Sequence, residues 1–131
     1  MITKEKLIRK RPVFLENFAN AGDVFNQFQV FGYTSWGEEN KKLKPPTHIK
    51  ILFAYYTYEG YSGDAWVLGY NKIIDELFEV NGSHCSCYGL EGQWSEEHIN
   101  LIHLEDRLNK AGYGKWKDGP FENAIRKFLN L

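Results

Sequence analysis

Residues 84–87 read His-Cys-Ser-Cys, and two more histidines follow at positions 98 and 103. As spacing, this is C-x-C, ten residues, then H-x4-H, close to a Cys2His2 zinc pattern, whose cysteines usually stand two to four residues apart. In an extended segment Cys85 and Cys87 would point to the same side. A disulfide between them would be strained, which leaves both thiols free as ligands. Two features oppose the reading. The cysteine pair is tighter than the usual knuckle, and His98 and His103 would stand roughly 140° apart around a helix. His84 could replace one of them, so the ligand set for a single zinc is drawn from His84, Cys85, Cys87, His98 and His103. The competing reading is two small, partly buried cysteines that hold no metal.

The same residues allow a second chemistry, in which Cys85 or Cys87 is a nucleophile, a histidine its base and an acid the orienting group. Every residue type is present, but no local signature of a protease or hydrolase elbow accompanies them. Asn81-Gly82-Ser83 fits the acceptor pattern for N-glycosylation, which has no role without an export signal. Tyr55, Tyr56, Tyr58, Tyr61, Trp66 and Tyr70 could form a stacking platform of the kind that binds single-stranded nucleic acid. Without flanking basic residues that platform lacks its electrostatic half. Gly112-Tyr113-Gly114-Lys115 lacks the spacing of a phosphate loop and the strand before it.

The elements that must position these residues are legible from pattern. Thr3 suits the N-cap of a short helix ending before Pro12. Phe14, Leu15, Phe18 and Ala19 recur at helical spacing, after which Ala21-Gly22-Asp23 breaks the pattern. Residues 32–47 carry glycine, Pro45-Pro46 and a run of lysines, and read as an exposed loop. The sheet begins at His48. Residues 48–58 are β-branched and aromatic, with Ile49, Ile51, Phe53 and Tyr55 on one face and Leu52, Ala54 and Tyr56 on the other, as in a central strand. Residues 64–70 and 77–80 complete an antiparallel meander, Asn81-Gly82 supplies the turn that closes it, and 83–88 allow a fourth short strand. Ser95 then reads as the N-cap of a helix whose apolar stripe is Leu101, Ile102, Leu104, Leu108 and Ala111. Pro120 opens a last helix with Phe121, Ala124, Ile125, Phe128 and Leu129 on one face.

The expected fold is therefore α+β: an antiparallel sheet of three to four strands over residues 48–88, packed against an N-terminal and two C-terminal helices. One domain over residues 1–131 is the expectation for this length. A formal net charge of −1 supplies no global attraction to nucleic acid. No apolar run approaches the length of a membrane span, and the N-terminus has no signal-peptide pattern. Two cysteines without an export signal point to a reducing cytoplasm. Aromatic residues make up 16% of the chain, and Tyr and Trp are enriched at interfaces. Those falling in expected loops, Trp36, Tyr61, Tyr88, Trp94 and Trp116, are candidate partner contacts.

From Ile51 to Trp94 the chain runs through YYTYEGYSGDAWVL and then EVNGSHCSCYGLEGQW. This middle third resembles small uncharacterised proteins encoded in bacteriophages and prophages. The resemblance implies a small phage protein in the bacterial cytoplasm, where many such proteins bind and inhibit a host enzyme or defence system. It transfers no catalytic residue. The expected function is thus a non-enzymatic interaction protein with a host protein as partner and no cofactor. A structural zinc module is the alternative, and a cysteine-dependent enzyme the third reading.

Overall fold

The computed structural model describes residues 1–32, 45–110 and 120–131, and their architecture is α+β. They fall into two compact units, one made of Met1–Lys10 with Ile99–Leu131 and the other of Arg11–His98.

The larger unit is a mixed sheet of five strands: β1 (Val13–Glu16), β2 (Ile49–Tyr56), β3 (Gly63–Asn71), β4 (Glu76–His84) and β5 (Glu97–His98), in spatial order β1-β2-β3-β4-β5. The branched and aromatic run of β2 is central, as its composition predicts, and β2, β3 and β4 form the expected meander. Two strands lie outside the expected 48–88 range. β1 joins parallel to β2, pairing Val13 with Phe53 and Glu16 with Tyr56. A helix was expected at Phe14 and Leu15, but Glu16 adopts a left-handed φ of 57°, which no α-helix can run through. The free edge of β2 instead offers those residues a ladder. β5 pairs with Phe78 and Glu79 of β4.

A bulge between Ile51 and Phe53 shifts the β2 register. The extra residue swaps the faces downstream. Ile49 and Ile51 therefore share a face with Ala54 and Tyr56, not with Phe53 and Tyr55. That face carries Ala65, Val67, Phe78 and Val80 from β3 and β4, and packs against Phe18, Val24, Phe25, Phe28, Val30 and Leu90. Val24, Phe25 and Phe28, half of these covering side chains, come from α2 (Ala21–Phe28). The Ala21-Gly22-Asp23 stretch, expected to break a helix, starts one. Asn20 is its N-cap and accepts the Asp23 N–H at 2.9 Å, while the Asp23 carboxylate accepts the Ala19 N–H at 2.8 Å. Small polar residues favour helix starts for this reason.

Residues of the opposite face are buried too: Phe53, Tyr55, Trp66, Leu68 and Leu77, with the acid Glu79 among them. Its Oε1 accepts from Trp66 Nε1 and Asn81 Nδ2, each at 3.1 Å. Asn81 and Gly82 do not form the expected turn; they lie inside β4, opposite Trp66 and Ala65. Space there is tight: a Cβ on Gly82 would meet the Leu90 and Phe28 side chains at 3.0 and 3.1 Å, so they would have to shift to admit one. The ladder and that packing override the local turn preference.

In the smaller unit, Thr3 caps α1 (Lys4–Leu7) as expected. Helix α3 (Leu101–Asn109) starts later than Ser95 implied, capped by Asn100, whose side chain accepts the His103 N–H at 2.7 Å. Residues 97 and 98 are already engaged in the sheet, so a helix cannot begin before them. Leu104 and Leu108 are buried, whereas Ile102 is 77% exposed and does not widen the stripe. Helix α4 (Pro120–Phe128) starts at its proline, and Ile125, Phe128 and Leu129 are buried. Arg126 ties it to the end of α3, donating to the Leu108 carbonyl at 2.6 Å and to Asn109 Oδ1 at 3.0 Å. Lys10 Nζ donates to the Phe128 carbonyl at 2.7 Å. No helix among the described residues is long and apolar enough to cross a membrane.

Candidate functional site

The turn from β2 to β3 and the end of β4 meet at one end of the sheet, because Gly63 pairs with His84. Thr57 fastens the base of that turn: its N–H donates to the Asp64 carbonyl at 2.8 Å, and its hydroxyl accepts the Asp64 N–H at 2.9 Å. Nearer the tip, Glu59 and Ser62 exchange backbone bonds of 2.9 and 3.2 Å. Tyr61 thus sits on a short, closed turn and is 81% exposed.

His84 fills the space behind it. The ring is buried, and Nε2 lies 3.0 Å from the Thr57 carbonyl, to which it donates. Tyr58 lies over the imidazole with ring centres 4.1 Å apart, and Tyr56 meets it edge-on at 5.1 Å. Tyr58 is consequently backed by a buried ring while remaining 58% exposed. Burial raises the Tyr56 phenol above its ordinary pKa, with Tyr58 and Glu91 adding to the effect. An open cleft of about 500 Å³ runs beside the imidazole between Glu59, Ser62, Asp64 and Ser83.

The chain then turns sharply. Residues expected to extend as a strand instead form a four-residue turn, in which the Cys85 N–H donates to the Tyr88 carbonyl at 3.2 Å. Cys85 is partly exposed and Cys87 exposed. The Cys87 N–H donates to Cys85 Sγ at 3.3 Å. This donor is the main reason the Cys85 thiol titrates below its ordinary value; burial opposes it, and the Tyr88 N–H and the side chains of Cys87 and Tyr88 assist. Gln93 closes the loop from outside, its amide accepting the Ser83 N–H at 2.9 Å and donating to the Ser83 and Gly89 carbonyls at 2.7 Å each.

The five residues considered as zinc ligands are distributed differently from that expectation. His84 is committed to Thr57. His98 lies in β5 rather than on a helix, with Nδ1 2.8 Å from Glu76 Oε2. His103 lies on α3, so the two histidines do not share a helix. Among the described residues, no three His, Cys, Asp or Glu side chains are gathered so that they could hold a metal ion. Neither does the expected tyrosine platform form: Tyr55 and Tyr56, successive residues of β2, point to opposite faces of the sheet, and Tyr55, Tyr56 and Trp66 are all buried.

Of the five candidate contact aromatics, Trp36 and Trp116 lie outside the described residues. Trp94 is partly buried and anchors its loop, with its ring edge-on to Phe28 at 5.4 Å and Phe78 at 5.7 Å, and Nε1 donating to Glu96 Oε2 at 3.1 Å. Tyr61 and Tyr88 are exposed, Tyr88 at 53%. Sequence reasoning placed Tyr58 in a sheet platform and not among the loop aromatics because it closes an alternating strand pattern, and passed over Glu79 because it lies inside an apolar one. No family model matches the chain, and no curated protein or solved structure shows significant similarity to it.

Proposed function

We propose that this chain is an interaction protein that grips a partner protein with the tyrosines at the β2–β3 end of its sheet. The supporting observation is that Tyr58, Tyr61 and Tyr88 expose their rings at one end of the sheet, Tyr58 against a buried imidazole and Tyr61 and Tyr88 on tight turns. Tyrosine gives large contact area at low entropic cost when its rotamer is already fixed. The adjoining cleft, with Ser62 and Ser83 on its wall, provides uncharged hydrogen-bonding groups for a partner. All three tyrosines lie within the Ile51–Trp94 segment that resembles phage-encoded proteins, and on that resemblance the partner is a protein of the bacterial cytoplasm and the outcome of binding is its inhibition.

Affinity capture from bacterial lysate, using wild type and the Tyr61→Ala/Tyr88→Ala double variant side by side, tests the reading. Wild type should retain a specific protein that the double variant binds at least about tenfold more weakly, since interface tyrosines contribute about 2 kcal/mol or more at hot spots. Both forms should melt alike, because neither ring is buried. Equal capture by the two forms would refute the tyrosine surface.

A further inference from the structure

Cys85 and Cys87 are not themselves among the proposed partner contacts, yet the turn they share with Tyr88 is built in a particular way. Residues two apart within a turn fall inside the Cα span of a disulfide, about 4.4–6.8 Å. Both thiols are free and reachable from solvent. The Cys85 sulfur accepts the Cys87 N–H at 3.3 Å, which turns it toward residue 87, and the Cys87 side chain also bonds to it.

We propose that Cys85 and Cys87 are a thiol–disulfide exchange pair acting on accessible disulfides, with Cys85 attacking and Cys87 resolving. Two physical features divide the roles. The backbone N–H groups of Cys87 and Tyr88 favour a negative charge on the Cys85 sulfur, and the thiolate is the attacking species. Cys87 is the more exposed partner, free to rotate toward a mixed disulfide on Cys85. The ring they close is small and strained, and strained, exposed disulfides are the labile, oxidising ones. The strain that argues against a permanent structural bridge thus favours a transient one.

With glutathione disulfide as the oxidant, the Cys85 thiolate attacks one of its sulfurs. The glutathione S–S bond breaks, a Cys85–glutathione bond forms, and one glutathione departs as thiolate to be protonated by solvent. Cys87 then gives its proton to solvent and its sulfur displaces the second glutathione, closing Cys85–Cys87. The protein dithiol has lost two electrons, and one disulfide has become two thiols.

The test incubates the full chain in glutathione buffers of graded oxidation, quenches with acid, alkylates with N-ethylmaleimide and reads the intact mass. Wild type should appear lacking two hydrogens and carrying no maleimide in oxidising buffer, and return to two maleimides in reducing buffer. Cys87→Ser should stop at a single glutathione adduct. Cys85→Ser should capture glutathione roughly tenfold more slowly than Cys87→Ser, with thermal melting confirming that both variants are folded. Two glutathione adducts on wild type without ring closure, or equal rates for the two variants, would overturn the proposal.

Discussion

His84 shows how one side chain can order a surface without belonging to it. Its imidazole bonds to the Thr57 carbonyl and supports Tyr58, so the β2–β3 turn is held from beneath. Gly63 is the complement of that arrangement. A Cβ there would run into the Thr57 carbonyl and the His84 ring, and a backbone oxygen cannot step aside as a flexible side chain can. Gly63→Ala should therefore cost about 1–3 kcal/mol, in the range of overpacked sites, read as a lower urea midpoint with an unchanged slope. It should also weaken partner capture by displacing Tyr58, although Gly63 lacks a side chain of its own to offer. An unchanged midpoint would show that the turn yields.

At the scale of elements, the edge of β4 is the informative case. β5 covers only Phe78 and Glu79 of β4, and a bare strand edge invites pairing with another chain. Gln93 occupies the place of a further strand: its amide takes both the N–H and the C=O of Ser83, and the Gly89 carbonyl as well. Gln93→Ala should lower stability by about 1–3 kcal/mol and loosen the 85–93 loop, so amide hydrogen exchange at Ser83 should quicken before global unfolding does. Gln93→Glu keeps the acceptor but loses both donated bonds, and should fall between wild type and alanine. The loop carrying Cys85, Cys87 and Tyr88 owes its shape to this one side chain as much as to its own turn.

For the whole molecule, the balance of charge matters more than any ion pair. The formal net charge is −1, and the His98–Glu76 contact is half-exposed on both sides, a setting in which ion pairs contribute little. Recognition through uncharged tyrosines should then be nearly insensitive to ionic strength. Affinity for the captured partner should change less than about threefold between roughly 0.05 and 0.5 M salt, where exposed charge pairs are screened out. A steep loss of affinity would move the interface to charged surface elsewhere on the chain.

Local signals carried the elements that depend only on their own residues. The β-branched and aromatic run of β2, the Thr3 cap and the proline start of α4 could all be read from the sequence, as was the α+β class. Tyr61 and Tyr88 were recognisable as loop aromatics. What the sequence left open depended on partners distant along the chain. Phe14 and Leu15 fit a helix or a strand equally well, and only the open edge of β2 made them a strand. Asn81-Gly82 is a turn dipeptide until β3 pairs with it and Phe28 packs over it. Ser95 looks like a cap, but β4 claims Glu97 and His98 first, and that takes His98 off the helix that carries His103. The bulge beside Leu52 reassigned half of β2 to the other face, since side-chain direction alternates at every residue and one insertion reverses all that follow. Spacing determined which residues could meet; hydrogen bonding across the sheet and the space left by large aromatic rings decided which of them did.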